Sequence, residues 1–434
     1  MKNIIFISLL ILSISCKKED EKISPPIKTI IINDVSPSSG YKNTLVLLTG
    51  TGFSLILANN VVTLNGKTCP LINGSTTALV VSVPPSAGSG NFKVSAEGGM
   101  GLSPNFAFLY TYTVSNFAGS ATVGSANGQG ENASFYGLNG IDTDEDGNIY
   151  VCDSYNHSIR KITPSGMVST FSGSGTPGYL DGVASVAQFN QPANISVDNV
   201  GIAYITDYNT VKKITTDGSV STIAGSLEPG FVDNVLGQEA RFNFPAGVAK
   251  DEDGNLFIAD FSNNRIRKII SFGVVSTYAG SDVYGFNNGS LSEATFYYPF
   301  SLTFDGSGNL YVGDLANSSL RKITPQGIVS TFAGNGQFGD MDGHGMEVQL
   351  GEISGITLDA FGNIYMVDFS FNKIKKVTPD GTVSTIAGNG SAGDVIGNGN
   401  QAEFDGLFGI AIDTNGNLYV SDRYNNKIKK ITVD

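Results

Sequence analysis

One aspartate recurs along most of this chain at a nearly constant step. Asp153, Asp207, Asp260, Asp314, Asp368 and Asp422 lie 54, 53, 54, 54 and 54 residues apart, each closing a strand-length run such as "NLYVSD". A fixed period of that size, with several strands per unit, is the mark of a β-propeller, in which small sheets surround an axis. The two ends of the repeat are split. "MVSTFSG" from Met167, "SVSTIAG" from Ser219, "VVSTYAG" from Val274, "IVSTFAG" from Ile328 and "TVSTIAG" from Thr382 each close a unit, whereas "TVSNFAG" at Thr113–Gly119 has no unit before it. The chain ends on "LYVSDRYNNKIKKITVD", a unit without that tail. With four strands per unit, A to D from the axis outward, "GLFGIAID", "NLYVSD" and "KIKKITV" supply A, B and C of the last unit, and Thr113–Gly119 supplies its D. The spacing therefore predicts six blades over residues 113–434, closed three-plus-one, with neither chain end leaving an unpaired strand edge.

The 434 residues are 41% hydrophobic and 15% charged, with 54 glycines, and no run after the first fifteen residues has convincing helical periodicity. The chain reads as all-β. Residues 28–112 hold about seven strand-length runs bounded by Gly, Pro, Ser and Asn turns, which suggests an Ig-like sandwich. There the string "SPSSG…LTGTGFS…NNVVTLNG…LVVSVP…GNFKVS" closely resembles the IPT/TIG family, whose domains serve secreted bacterial proteins as spacers or binding modules. The repeat unit, of the form "GI…D…GNLYV.D…N.KIKKITP.G.VSTFAG", resembles the NHL repeat across 113–434. Blade two departs from it, since "GIAYITDYNTVKKI" is two residues short after Asp207.

The start, "MKNIIFISLLILSISCKKEDEK", has Lys2, an apolar run from Ile4 to Leu12, small residues, then Cys16. That run is too short to span a bilayer and reads as a secretory signal. A cysteine after small residues resembles a bacterial lipoprotein signal, in which Cys16 becomes the acylated N-terminus, although Ser13 stands where that family prefers Leu. The charged "KKEDEK" resembles the export tags of Bacteroidetes surface lipoproteins. The implied plan is a signal peptide over 1–15, a tether over 16–27, membrane attachment through lipid on Cys16, and an outer-membrane, cell-surface location.

A net charge of −13 argues against nucleic acid, which calls for a basic footprint. Cys69 and Cys152 fall in different segments, which argues against a disulfide framework, and Cys69 reads as exposed or half-buried. Some NHL-like six-bladed propellers are metal-dependent lyases or lactonases, with His or carboxylate ligands at the starts of the inner strands. The matching positions here are Asn139, Ala193, Ala246, Phe300, Ser354 and Phe408, which lack such ligands. His157 and His344 read as solvated loop residues. The turns with Asp144/Asp146 and Asp251/Asp253 read as hairpins and not as calcium loops. No catalytic residue, metal or cofactor is assigned. The recurring Asp153-type carboxylate is expected to accept backbone N–H groups. The paired bases Arg160-Lys161, Lys212-Lys213, Arg267-Lys268, Arg321-Lys322, Lys375-Lys376 and Lys429-Lys430 point to opposite sides of strand C and read as scaffolding.

Alternating strands place the short A–B and C–D turns on one face and the B–C turns with the long D–A loops on the other, and long loops at a fixed place tend to carry function. Tyr155, Tyr208, Phe261, Phe369, Phe371 and Tyr424 on the B–C turns join Tyr179, Tyr284, Phe286 and Phe338 on the D–A loops as candidate platforms for sugar rings or peptide side chains. The alternative is that these rings cap the blades. The D–A loops hold fourteen Asp or Glu against a single Arg241, which predicts a neutral or cationic ligand. The function expected is non-catalytic ligand binding by a surface lipoprotein, with a glycan as ligand. A protein-binding scaffold or adhesin is the runner-up, and a lyase or lactonase comes third.

Overall fold

The computed structural model describes residues 29–85, 87–270 and 273–433, so Cys16 lies outside the described residues. The chain divides into two compact units after Tyr110. The first is a sandwich. One sheet orders Ile31–Ser36, Leu45–Thr51, Ala78–Ser82 and Leu71–Gly74, and the other Ser39–Gly40, Gly99–Phe108, Gly90–Ala96, Val61–Leu64 and Lys67–Thr68. Period-two alternation turns Val46, Leu48, Val62, Leu64, Leu79, Val81, Phe92, Val94 and Phe106 inward to one core. Cys69 belongs to that core, not to the surface, and burial pushes its thiol up to about 11.

Among the described residues the second unit contains six antiparallel sheets. The A strands, Leu138–Thr143, Pro192–Val197, Pro245–Lys250, Pro299–Phe304, Ile353–Leu358 and Leu407–Ile412, neighbour one another in chain order, and the last lies beside the first. In four blades a glycine at the third position of the A strand, Gly140, Gly247, Gly355 or Gly409, permits that approach: a Cβ at Gly140 would fall 2.6 Å from Asn194 Cα. Five of the six B strands, such as Ile149–Asp153, are buried at every residue, as continuous apolar runs should be, and blade two differs only at half-buried Tyr204. The D strand Tyr112–Ala118 pairs antiparallel with the C-terminal strand Lys427–Val433, with Val114 opposite Ile431. Tyr112, read from sequence as the end of the sandwich, is thus part of this unit and sits opposite Val433.

Interblade packing uses the "A.F" element of each D–A loop. Phe135, Phe189, Phe242, Phe296 and Phe404 are fully buried, each in a cluster drawn from two neighbouring blades. Blade five substitutes Val348 and Leu350. The D–A loops also go where the sequence reading did not place them. Gly128–Gln129, Gly289–Ser290, Gly343–His344 and Gly397–Asn398 each pair with the start of a D strand, and single bridges from Gly182 and Asn234 do the same in blades two and three. The middle of each long loop therefore runs down the rim as a partial fifth strand. It covers the outer edge instead of standing on the long-loop face.

Candidate functional site

Each blade is pinned by its recurring aspartate. Asp153, Asp207, Asp260, Asp314, Asp368 and Asp422 are fully buried, and each accepts the backbone N–H of the residue 17 positions earlier, at the end of the D–A loop. That is the backbone role expected of them. The first base of each strand-C pair, read as scaffolding, is fully buried beside them: Arg160, Lys212, Arg267, Arg321, Lys375 and Lys429. Asp153, Asp260, Asp314 and Asp422 ion-pair with Arg160, Arg267, Arg321 and Lys429 at 2.8, 2.7, 2.7 and 2.8 Å. The same bases reach the loops, where they meet Asn127, Asp181, Asp233, Asn288, Asp340, Asp342 and Asp394. Half of the fourteen loop acids are thereby engaged in ion pairs, counting Glu228 with Arg241 and Asp282 with Arg265. Ion pairing thus offsets part of the negative charge counted in the loops.

The departure of blade two has an energetic consequence. In blades one, three, four and six an Asn three residues after the aspartate donates to its second oxygen at 2.8 to 2.9 Å. Thr210 and Phe371 stand there in blades two and five, and neither Asp207 Oδ2 nor Asp368 Oδ1 gains a side-chain donor. Burial pushes the Asp207 carboxyl up to about 7, against the opposing pull of Lys212 and the Asn190 N–H. A carboxyl raised on folding stabilises the fold fully below its ordinary value of 3.8, and that contribution is lost as pH rises through about 7. Asp207→Asn is therefore expected to match the wild type in urea denaturation near pH 4 and to exceed it at pH 8, by on the order of 1–3 kcal/mol. A difference independent of pH would contradict this.

Three of the aromatic residues nominated from sequence, Tyr284, Phe261 and Phe369, join four others in an ordered belt on the long-loop face. Tyr284 stacks on Tyr297 at 4.7 Å, Tyr297 meets Tyr298 at 4.7 Å, and Tyr298 stacks on Phe261 at 4.5 Å and 15°. Phe261 contacts Phe300 at 5.7 Å, Phe300 contacts Phe408 at 5.4 Å, and Phe408 contacts Phe369 at 6.4 Å. Phe300 and Phe408 begin two inner strands, so the run crosses the mouth of the axial channel. Beyond Phe408, Arg423 lies over both Phe408 and Tyr155, and Tyr155 contacts Tyr136 at 4.9 Å. The other candidates stand apart. Tyr179, Tyr208 and Phe244 make one group, Phe338 and Phe371 a pair, and Tyr424 is exposed with no ring contact among the described residues. Phe286 lies over the Arg321 guanidinium and supports the blade.

Sequence reasoning missed Tyr136, Phe244, Tyr297, Tyr298, Arg423 and the apolar role of Phe300 and Phe408. A signal existed for two of these. "FP" and "YP" end two D–A loops, and Phe244 and Tyr298 take φ of 49° and 55°, a conformation bulky residues rarely adopt. Asn209 and Asn264 of the preceding blade hold their N–H groups at 3.1 and 2.9 Å, which fixes both rings on the face. Below the mouth the axis encloses about 190 Å³, lined in part by Asp142 and Lys250. Asp142 accepts the Val197 and Thr143 N–H groups, and Lys250 pairs with Asp198 at 3.0 Å. Among the described residues no cluster of three or more His, Cys, Asp or Glu side chains could hold a metal. The Asp144 and Asp251 carboxylates instead accept the Asn148 and Asn255 N–H groups and close their hairpins. His157 is half-buried and His344 exposed.

The IPT/TIG domain family matches residues 31–112, and the NHL repeat family matches residues 135–162 and 242–269. The chain carries an IPT/TIG domain and NHL repeats. NHL repeat-containing protein 2 of Bos taurus is 28% identical over 326 residues, which is 66% of this chain and 45% of that protein. The chain thus spans about half the length of the curated relatives it matches. A Bacteroides thetaiotaomicron structural-genomics protein of unknown function is 22% identical with a TM-score of 0.63, covering 94% of this chain and 99% of that one. An auxiliary nutrient binding protein from Bacteroides ovatus is 18% identical with a TM-score of 0.58, covering 94% of this chain and 98% of that one. At these identities the likeness to the two solved structures establishes a common fold.

Proposed function

We propose that this protein binds carbohydrate at the propeller's long-loop face without catalysis, anchored to the outer membrane through lipid on Cys16. The observation that carries the reading is the run of rings from Tyr284 to Phe369 across the channel mouth, which contains two stacked pairs. Flat rings, partly exposed and held by neighbouring backbone, offer apolar faces to sugar rings at little ordering cost. Tyr284 keeps 65% of its surface exposed, more than a ring used only as a blade cap requires. Both described solved neighbours come from Bacteroides, and one is a nutrient-binding protein, in line with a binding role. The charged segment after Cys16 favours display outside the cell.

Titration of the full chain against oligosaccharides selected on a glycan array, with and without chelator, tests this. Binding insensitive to chelator is expected, and Tyr284→Ala and Phe261→Ala should each weaken it about tenfold or more. Retention of a protein partner with no glycan bound would favour the adhesin reading, and turnover of a bound glycan would make the protein an enzyme. Cys16→Ala is expected to leave the membrane fraction, and its persistence there would refute the anchor.

A further inference from the structure

Six arginines lie in the propeller unit, and five have a carboxylate partner: Arg160, Arg241, Arg265, Arg267 and Arg321. Arg423 has none among the described residues. It is not free to wander, however. Its Nη1 donates to Asn139 Oδ1 at 2.8 Å and its Nη2 to Tyr155 Oη at 3.0 Å. The guanidinium carbon lies 5.2 Å from the Phe408 centroid and 5.4 Å from that of Tyr155. The residue is half-buried, and Asn139, which orients it, is buried at the start of the first inner strand. Neutral acceptors and ring faces thus hold an uncompensated, oriented cation at the channel mouth, in line with the aromatic belt. Each terminal nitrogen keeps a further N–H, and Nε–H remains, so the planar fork that matches a carboxylate is still available.

We propose that Arg423 receives the carboxylate of an acidic sugar whose ring lies on the adjoining belt, so the ligand class is a uronic-acid saccharide. This rests on the carbohydrate reading above and narrows it, reversing the charge preference that the loop acids alone suggest. Asn139 and Tyr155 act as positioning residues for the guanidinium.

The test uses the full chain and oligogalacturonate, oligomannuronate and hyaluronan oligosaccharides, each as the acid and after reduction of its carboxyl groups to alcohols. Calorimetric titration at about 0.15 M salt, where long-range charge effects are screened, reads each affinity. At least one acid is expected to bind ten-fold or more tighter than its alcohol, on the order of one charge-assisted hydrogen-bonded pair. Arg423→Gln should erase the preference, so that acid and alcohol bind it equally, and Arg423→Lys should restore only part of the preference. If the glutamine variant fails to fold, the wild-type comparison of acid with alcohol decides alone. Equal binding of acid and alcohol, or binding of neutral glycans only, overturns the carboxylate site and leaves the carbohydrate reading standing. Binding of no saccharide at all overturns both.

Discussion

Deleting Thr113–Gly119 is expected to abolish cooperative unfolding of the whole propeller, far beyond trimming one edge. The strand Tyr112–Ala118 lies between Lys427–Val433 and the short rim strand Gly397–Asn398, so its loss opens two edges at once. Its inward side chains also serve two interfaces. Val114 packs in the cluster shared by blades five and six, and Ala118 in the cluster shared by blades six and one. Phe117 adds an edge contact with Tyr419 at 5.0 Å. Losing these apolar contacts with a ladder of backbone hydrogen bonds costs on the order of 5 kcal/mol or more, a large part of what stabilises a typical domain. Calorimetry of the deleted and intact chains reads this directly. A propeller transition at the same temperature in both would mean that the ring does not depend on this strand, and Val114→Asp in the intact chain should reproduce most of the loss.

The closure was legible because repeats make an omission visible: five tails follow a head, one does not, and one head lacks a tail. Fold class and strand order followed from period and alternation, which are local properties. The site was legible only in its composition. Which rings touch depends on where the D–A loops return, and those loops spend their middle residues on the rim, guided by pairings such as Gly128 with Val168 that no local pattern announces. Arg423 was overlooked for a related reason, since its importance comes from Asn139, 284 positions away in sequence. The buried ion pairs did leave a trace. The base follows its aspartate by seven residues at Arg160, Arg267 and Arg321, and by five at Lys212, where the turn is short and the pairing with the aspartate is absent.

Arg267→Met is expected to be among the most destabilising single substitutions in the chain, whereas Lys268→Met, one residue along, should cost less than about 1 kcal/mol. Arg267 is fully buried and donates to Asp260 Oδ2 at 2.7 Å, to the Arg241 and Val232 carbonyls at 3.0 and 2.9 Å, and to Asp233 Oδ1. Methionine fills most of the volume but leaves Asp260 buried and without its cation, and takes one of two donors from the Arg241 and Val232 carbonyls, which keep each other's backbone N–H. Breaking a buried pair from one side costs about 3–5 kcal/mol. Burial already raises the Asp260 carboxyl, and without the guanidinium it rises further. The folded variant then takes up a proton that the unfolded chain releases, so its deficit is smallest at mildly acid pH and grows toward pH 8. Lys268 points to the other side of the strand, half-buried, with its ammonium 5.1 Å from the Phe257 ring centroid, a contact worth little beside water. Urea denaturation of both variants at pH 5 and pH 8 separates the two roles. Equal losses at the two positions, or a deficit in Arg267→Met that ignores pH, would show that the strand-C base packs the blade and does not hold the loop by charge.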